Sequence, residues 1–254
     1  MLDLTFNRDR TRAAIELHHP KGNIVTAEMA MSLVETLETL DENSHLKLVT
    51  LTGAGADFSF GASVPEHAPG EIDRVLPLMH RLIYALLDVP ATTAAVVRGR
   101  CLGGGFEIAM ACDFIFAADG AVLGLPEIAL GVFPPAASAL LPLKVGAARA
   151  SRAILTGAAR PATEWHAAGL VEFVVPADRL LPEADRWFDL HLAPRSATAL
   201  RHAAAAARLS LKTRVRELLP ELERLYLKDL MKTADAAEGI AAFLEKRSPR
   251  WTDT

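Results

Sequence analysis

Two cysteines in 254 residues are too few for a disulfide framework. The ten residues between Cys101 and Cys112 match no metal-ligand spacing, so both thiols are expected to be small core side chains. An excess of one charge is also missing: 27 basic against 31 acidic residues leave a net charge of −4 and no electrostatic footprint for nucleic acid or an anionic surface, so no nucleic-acid partner is expected. No uninterrupted apolar run reaches membrane-spanning length, and no membrane partner is expected either. The opening MLDLTFNRDR mixes acid and base and lacks the basic-then-apolar layout of a secretory signal, which makes a cytoplasmic location the expectation. The eight histidines show no H-E-x-x-H or comparable spacing, so no metal site is expected, and Ser63 lacks the G-x-S-x-G elbow of a serine hydrolase.

What is present is a chain that is 51% apolar and long enough to bury a real core. Short β-rich runs alternate with amphipathic helical runs in its first half. Strands are predicted over 2–7, 12–18, 46–52, 92–98 and 113–118, helices over 27–41, 71–88 and 104–112, and a loop over 52–58. Such alternation returns strands in parallel through helical crossovers, so the fold class is α/β. After residue 145 the chain becomes rich in alanine, leucine, arginine and glutamate. Helices are predicted there over 146–157, 161–169, 178–192 and from 196 to 246, with one strand over 171–176. Apolar stripes in the tail (Leu218, Leu219, Leu222, Leu225, Tyr226; Ile240, Phe243, Leu244) point either to a subunit interface or to packing on their own domain.

The stretch CLGGGFEIAMACD (101–113) runs three glycines straight into an apolar helical pattern with one acid, Glu107, in its first turn. A helix that starts on glycine leaves unpaired N–H groups and the positive end of its dipole facing outward, which favours an anion or a developing oxyanion. The missing Cβ atoms also allow a close approach to the backbone. G-x-G-x-x-G is absent and no Lys-Ser or Lys-Thr pair follows the glycines, so dinucleotide and phosphate loops are not expected. A second acid, Glu127, lies in LGLPEIALGVFPP after the next strand, and two carboxylates near such a helix end could divide acid and base work. Taken singly, the glycines read more simply as a tight turn, Glu107 as a partner of the helix dipole and Glu127 as a solvated turn residue.

As a set these features resemble one family. FSFGASV (58–64) resembles the first oxyanion-hole loop of the crotonase, or enoyl-CoA hydratase and isomerase, superfamily, and VVRGRCLGGGFEIAMACD (96–113) its second. LGLPEIALGVFP resembles the segment that bears the family's second catalytic glutamate. LHHPKGNIVTAEM (17–29) is similar to its early CoA-contacting turn, and AAFLEKRSPRW (241–251) to its C-terminal helix. The resemblance implies a spiral of ββα units over 1–194 and a helical trimerisation region over 195–254, assembled as a homotrimer or a hexamer made of two trimers. It implies an acyl-CoA substrate and no metal or redox cofactor, coenzyme A being part of the substrate.

Carried over by position, the resemblance has the N–H groups of Ala62 and Gly104 hold the thioester oxygen, while Glu107 and Glu127 position water and move its proton. Gly61, Ser63, Val64, Pro65, Gly103 and Pro134 would contact substrate, Lys21 and Lys246 would meet the CoA phosphates or adenine, and Phe60 would flank the adenine or pantetheine arm. Magnitude favours such a role for the glycines, since losing one oxyanion donor costs roughly 3–4 kcal/mol whereas glycine for alanine in a helix costs about 1 kcal/mol. Two departures stand out. Ser63, followed by VPEH with His67, replaces an aspartate common in hydratases, and FPPAAS (133–138) with Pro134 and Pro135 replaces a glycine-rich turn. Both look like the branch that hydrates cyclic dienoyl-CoA thioesters, with His67 either lining the acyl pocket or facing solvent. Isomerisation, or hydrolysis of a cyclic oxo-acyl thioester, shares the same enolate chemistry and remains an alternative. A silent RNA-binding or scaffold protein is disfavoured by the acidic balance and by the presence of both glutamates.

Overall fold

A computed structural model describes residues 1–68 and 70–254. The chain begins with the hairpin β1 (Leu2–Phe6) and β2 (Arg12–Leu17), then α1 (Ala27–Thr39), β3 (Leu48–Gly53) and α2 (Ile72–Asp88). It continues through β4 (Thr92–Val97), β5 (Arg100–Leu102), α3 (Gly104–Ala111), β6 (Phe114–Ala118) and β7 (Val122–Gly124). Then come α4 (Pro135–Val145), α5 (Ala147–Thr156), β8 (Arg160–Pro161), α6 (Ala162–Ala167), β9 (Phe173–Val175) and α7 (Leu180–His191). The tail is α8 (Ala197–Arg224) and α9 (Ala234–Leu244).

Six strands form one sheet in the order β1-β2-β3-β4-β6-β9, parallel except for the opening hairpin. β4 (TTAAVV) is buried along its whole length, as a central parallel strand covered on both faces must be. A second, short sheet holds β5-β7-β8, with Cys101 opposite Leu123 in the parallel β5–β7 pair. Each turn of the chain therefore lays one strand in the long sheet, one in the short sheet, and then a helix or helical turn: β4, β5, α3, followed by β6, β7 and the turn at Pro126–Leu130. The preceding turns do the same with single residues, Ser59 bridging in parallel to Cys101 and Val25 to Ala62. This is the spiral of ββα units, and it stacks the loop after β3 directly on the loop after β5.

Several elements differ from those predicted. The strands β5, β7 and β8 are at most three residues long, too short to show a period. Helix α4 (PAASALLPLKV) is buried on nearly every side and has no polar face to mark it. The helical run predicted from 196 to 246 is interrupted by a π-helical stretch at Leu225–Asp229 and restarts after Thr233, whose hydroxyl accepts from the Ala236 N–H at 3.1 Å. Its apolar stripe divides: Leu219, Tyr226 and Ile240 are buried in their own chain, while Leu225, Phe243 and Leu244 are exposed. Cys101 and Cys112 are both buried free thiols, and burial pushes Cys112 up to about 12. Among the described residues, no helix is long and apolar enough to cross a membrane, and no cluster of three or more His, Cys, Asp or Glu side chains could hold a metal ion.

One buried cation pins α8 to the core. Arg208 donates from Nε to Asp113 Oδ1 at 2.7 Å and from Nη2 to the Ala91 carbonyl at 2.7 Å, and its Nη1 meets the Val89 carbonyl. Asp113 is held in turn by the Thr93 N–H at 2.8 Å. Removing one partner of such a pair strands the other in a low dielectric, so Arg208→Ala is expected to lower unfolding free energy by about 3–5 kcal/mol. Urea unfolding would measure it, and a loss within about 1 kcal/mol would show that α8 is held by its apolar contacts instead.

Candidate active site

The first loop is shaped by side chains that bond backbone. Asn23 adopts a left-handed backbone (φ +53°), which asparagine tolerates, and is buried. Its Nδ2 donates to the Ala54 and Asp57 carbonyls, both at 2.9 Å, and its Oδ1 accepts from the His19 N–H at 3.1 Å. Ser59 donates from Oγ to the Asn23 carbonyl at 2.7 Å and accepts from the Gly61 N–H at 3.1 Å. Backbone bonds then tie the loop on both sides. Val25 N donates to the Gly61 carbonyl at 2.9 Å, Ser63 N to the Val25 carbonyl at 3.0 Å, and Leu102 N to the Ser59 carbonyl at 2.9 Å.

That ladder turns the Ala62 N–H away from Val25. Opposite, Gly103 takes φ +50°, ψ −129°, a conformation open to glycine, and α3 begins at Gly104 with its first N–H unpaired. Among the described residues, neither the Ala62 N–H nor the Gly104 N–H has an acceptor. The two lie side by side, for a Cβ built on Gly104 would stand 3.2 Å from both the nitrogen and the Cβ of Ala62. Two free donors at a helix start, on the wall of a cavity, are the arrangement that a developing oxyanion favours.

Both acids border that site. Glu107 lies one turn into α3 and is 8% exposed, and its Oε1 accepts from the Ala137 N–H at 2.8 Å, in the first turn of α4. Pro134 and Pro135 set that turn, Pro135 at the first helical position where no N–H is needed. Glu127 sits on the helical turn Pro126–Leu130, and its Oε1 would be 2.7 Å from a Cβ on Gly103, so the missing side chain there is what admits the carboxylate. Its Oε2 is sealed from solvent and, among the described residues, has no partner. Burial pushes Glu107 up to about 7, against the pull of the Ala137 and Ala136 N–H groups. Burial, then the nearby charge of Glu107, pushes Glu127 up to about 8. Near neutral pH the pair holds one proton between them, an acid and a base on one cavity.

The cavity encloses about 300 Å³ and is walled mainly by Ile72, Val75, Leu76, Met79, Ile83, Val132 and Phe133. Of the residues singled out in the sequence, Phe60, Gly61, Ala62, Val64, Gly103, Gly104, Glu107, Glu127 and Pro134 line it. Ser63 is off the wall, its N–H spent on the Val25 carbonyl, and Pro65, Lys21 and Lys246 are exposed and off it too. Arg247 rather than Lys246 reaches the wall, bound to Glu238 and Glu245. Phe60 packs against the Gly22 turn, with the Arg100 guanidinium 4.1 Å above its ring. His67 lines the cavity rather than facing solvent; Nδ1 lies 2.9 Å from the Ser63 carbonyl, to which it must donate, and burial keeps the ring neutral.

Two further polar wall residues, His80 and Tyr226, are not singled out by the sequence. His80 sits within the apolar stripe of α2 (Ile72, Val75, Leu76, Met79, Ile83), where one histidine in an apolar helical face is the available signal. Its Nδ1 is 2.6 Å from Glu223 Oε2. Tyr226 reads as part of an apolar stripe in the tail.

Comparison with known proteins identifies the family. A family profile described as enoyl-CoA hydratase/isomerase matches residues 8–254. The chain is 43% identical over 252 residues, 98% of its length and 96% of the other's, to a cyclohexa-1,5-dienecarbonyl-CoA hydratase of Thauera aromatica. It is 32% identical to a 2,3-dehydroadipyl-CoA hydratase of Escherichia coli, covering 98% of each. The crystal structure of an enoyl-CoA hydratase from Mycobacterium avium subsp. paratuberculosis superposes with a TM-score of 0.88 at 30% identity, covering 99% of this chain and 98% of that one.

Proposed function

The chain belongs to the enoyl-CoA hydratase/isomerase family, and from that premise we propose that it adds water to the conjugated double bond of an alicyclic dienoyl-CoA thioester, cyclohexa-1,5-diene-1-carbonyl-CoA, without a resident metal or redox cofactor. The observation that carries this reading is the pair of free amides, Ala62 and Gly104, at a cavity shared by two carboxyls with raised pKa values. The thioester oxygen accepts from both amides. As the oxygen of water bonds to the conjugated carbon, the electron pair of the double bond moves onto the thioester and its charge is held as an enolate. The ionised carboxylate takes the proton that water loses. The protonated carboxyl returns a proton to carbon as the enolate collapses, and the pair ends with one proton as it began.

The alicyclic acyl group is supported by the apolar walls, by the two prolines that fix the start of α4 beside Glu107, and by the 43% identity to the Thauera hydratase. A panel of straight-chain and cyclic enoyl-CoA esters in heavy-oxygen water tests it. Fast loss of conjugated thioester absorbance on the cyclic diene, with one solvent oxygen in a CoA-linked product, is the expected result. Faster turnover of crotonyl-CoA would move the substrate to the straight-chain class. A rearranged product without solvent oxygen would make the enzyme an isomerase, and free coenzyme A a hydrolase.

A further inference from the structure

Among the described residues, two buried polar atoms on the cavity wall have neither a hydrogen-bond partner nor a part in the chemistry above: His80 Nε2, whose ring is already tied through Nδ1 to Glu223, and the Tyr226 hydroxyl. Tyr226 is 2% exposed and stands on the π-helical stretch Leu225–Asp229, a local widening of the helix of the kind often found at functional sites. Phe133 meets its ring edge-on with centroids 5.4 Å apart, and Ile72, Leu76, Val132 and Ala236 pack in the same cluster. The ring is therefore held firmly. Among the described residues its hydroxyl has no hydrogen-bond partner, although phenylalanine would fill the same space without burying an unpaired O–H. Glu127 Oε2, on the wall of the same cavity, is the second buried oxygen without a partner.

The two orphan oxygens are complementary in kind. The Glu127 carboxyl has lone pairs that accept whether or not it carries the pair's proton, and a phenol that keeps its proton can donate. Burial and then the charges of Glu127 and Glu107 push the phenol well above its ordinary range, so it stays an O–H. A group that both donates and accepts satisfies both at once, and water and an alcohol are the smallest such groups. We infer that Tyr226 is a third catalytic residue, whose O–H donates to the oxygen of the water held by Glu127 Oε2 and, after addition, to the hydroxyl that this oxygen becomes. This inference rests on the hydratase reading. Tyr226 keeps its proton throughout: the new bond is from oxygen to carbon, the bond broken is one O–H of water, and its proton goes to the carboxylate. Two hydrogen bonds fix the direction of the attacking lone pair.

Tyr226→Phe in the full-length protein tests it, since the change removes one oxygen and no packing. Expected is a fall in kcat of about 10- to 100-fold with KM within about twofold, and a melting temperature equal to or above that of the unchanged protein. Dissociation constants for two unreactive ligands, the ring-hydroxylated thioester and its deoxy analogue, should differ about tenfold in favour of the hydroxylated one before the substitution and be equal after it. An unchanged kcat together with an unchanged preference would overturn the role. So would a loss of kcat that tracks a lower melting temperature while the preference persists. Should the enzyme add no water to any enoyl-CoA, the hydratase reading fails, and the ratio of dissociation constants still decides whether Tyr226 serves an oxygen subsite.

Discussion

Glu107→Gln and Glu127→Gln are each expected to lower kcat by about a hundred- to ten-thousandfold while the Kd of a saturated acyl-CoA changes less than about threefold. Glutamine keeps the acceptor that Glu107 presents to the Ala137 N–H, so the helix start at Pro135 should survive and only the proton chemistry is lost. Near-normal turnover in either variant would remove the pair from the mechanism. The wild-type pH profile should follow from the same burial. Glu107 is raised to about 7 and Glu127 to about 8, so the singly protonated pair dominates near neutrality and kcat/KM should fall on both sides of it.

Stability should move with the same groups, in a direction fixed by linkage. A carboxyl whose folded pKa lies above its unfolded value binds its proton more tightly when folded. Its contribution is present below the unfolded value and is lost as pH rises through the folded one. The wild-type protein should therefore lose stability between about pH 5 and pH 9, on the order of 3 kcal/mol for Glu107 alone. Glu107→Gln should lose less stability there, since only Glu127, still raised by burial, remains to titrate, and should melt higher than wild type at the alkaline end. Parallel melting curves for the two proteins across that range would contradict the raised pKa.

Gly104→Ala should be nearly as damaging to turnover for a different reason. Gly104 is not in the left-handed region, so alanine is conformationally allowed, and its Cβ would meet Ala62 N and Ala62 Cβ at 3.2 Å and Met79 Cε at 3.5 Å. A shift of a few tenths of an ångström accommodates it, but the methyl then fills the gap between the two amides. Expected is a folded protein with kcat lower by about a hundred- to a thousandfold, measured with the melting temperature on the same preparation. Wild-type turnover would show that no oxyanion lies between Ala62 and Gly104. Gly105→Ala is the contrast: its Cβ would stand 2.5 Å from Ser59 Cβ and 2.6 Å from Ser59 Oγ, so that variant should fail at folding.

The long sheet was legible in the sequence because all its strands but the three-residue β9 are five or six residues long and its helices amphipathic; β2, β4, α1 and α2 lie within a few residues of the predicted spans. The short sheet was not, since β5 and β7 have three residues each and their partners come from other turns of the spiral. Glu107, Glu127 and the glycine run were legible as motifs, but the approach of Gly104 to Ala62 is a long-range fact that no local pattern encodes. Tyr226 was hidden for a related reason: in the sequence it belongs to an apolar stripe, and only the fold sets it in a π-helical stretch on the wall of a cavity with two acids. Lys21 and Lys246, which the resemblance sets at the CoA phosphates or adenine, lie on exposed surface off the cavity wall.

The convergence of two amides on one oxygen is read most directly from the carbonyl stretching frequency of a bound enoyl thioester, isotopically labelled at that carbon. Two N–H donors polarise the bond, so the stretch should fall well below its value in water and recover most of the difference in Gly104→Ala. A bound frequency equal to that in water would mean that the Ala62 and Gly104 N–H groups do not meet at the thioester oxygen.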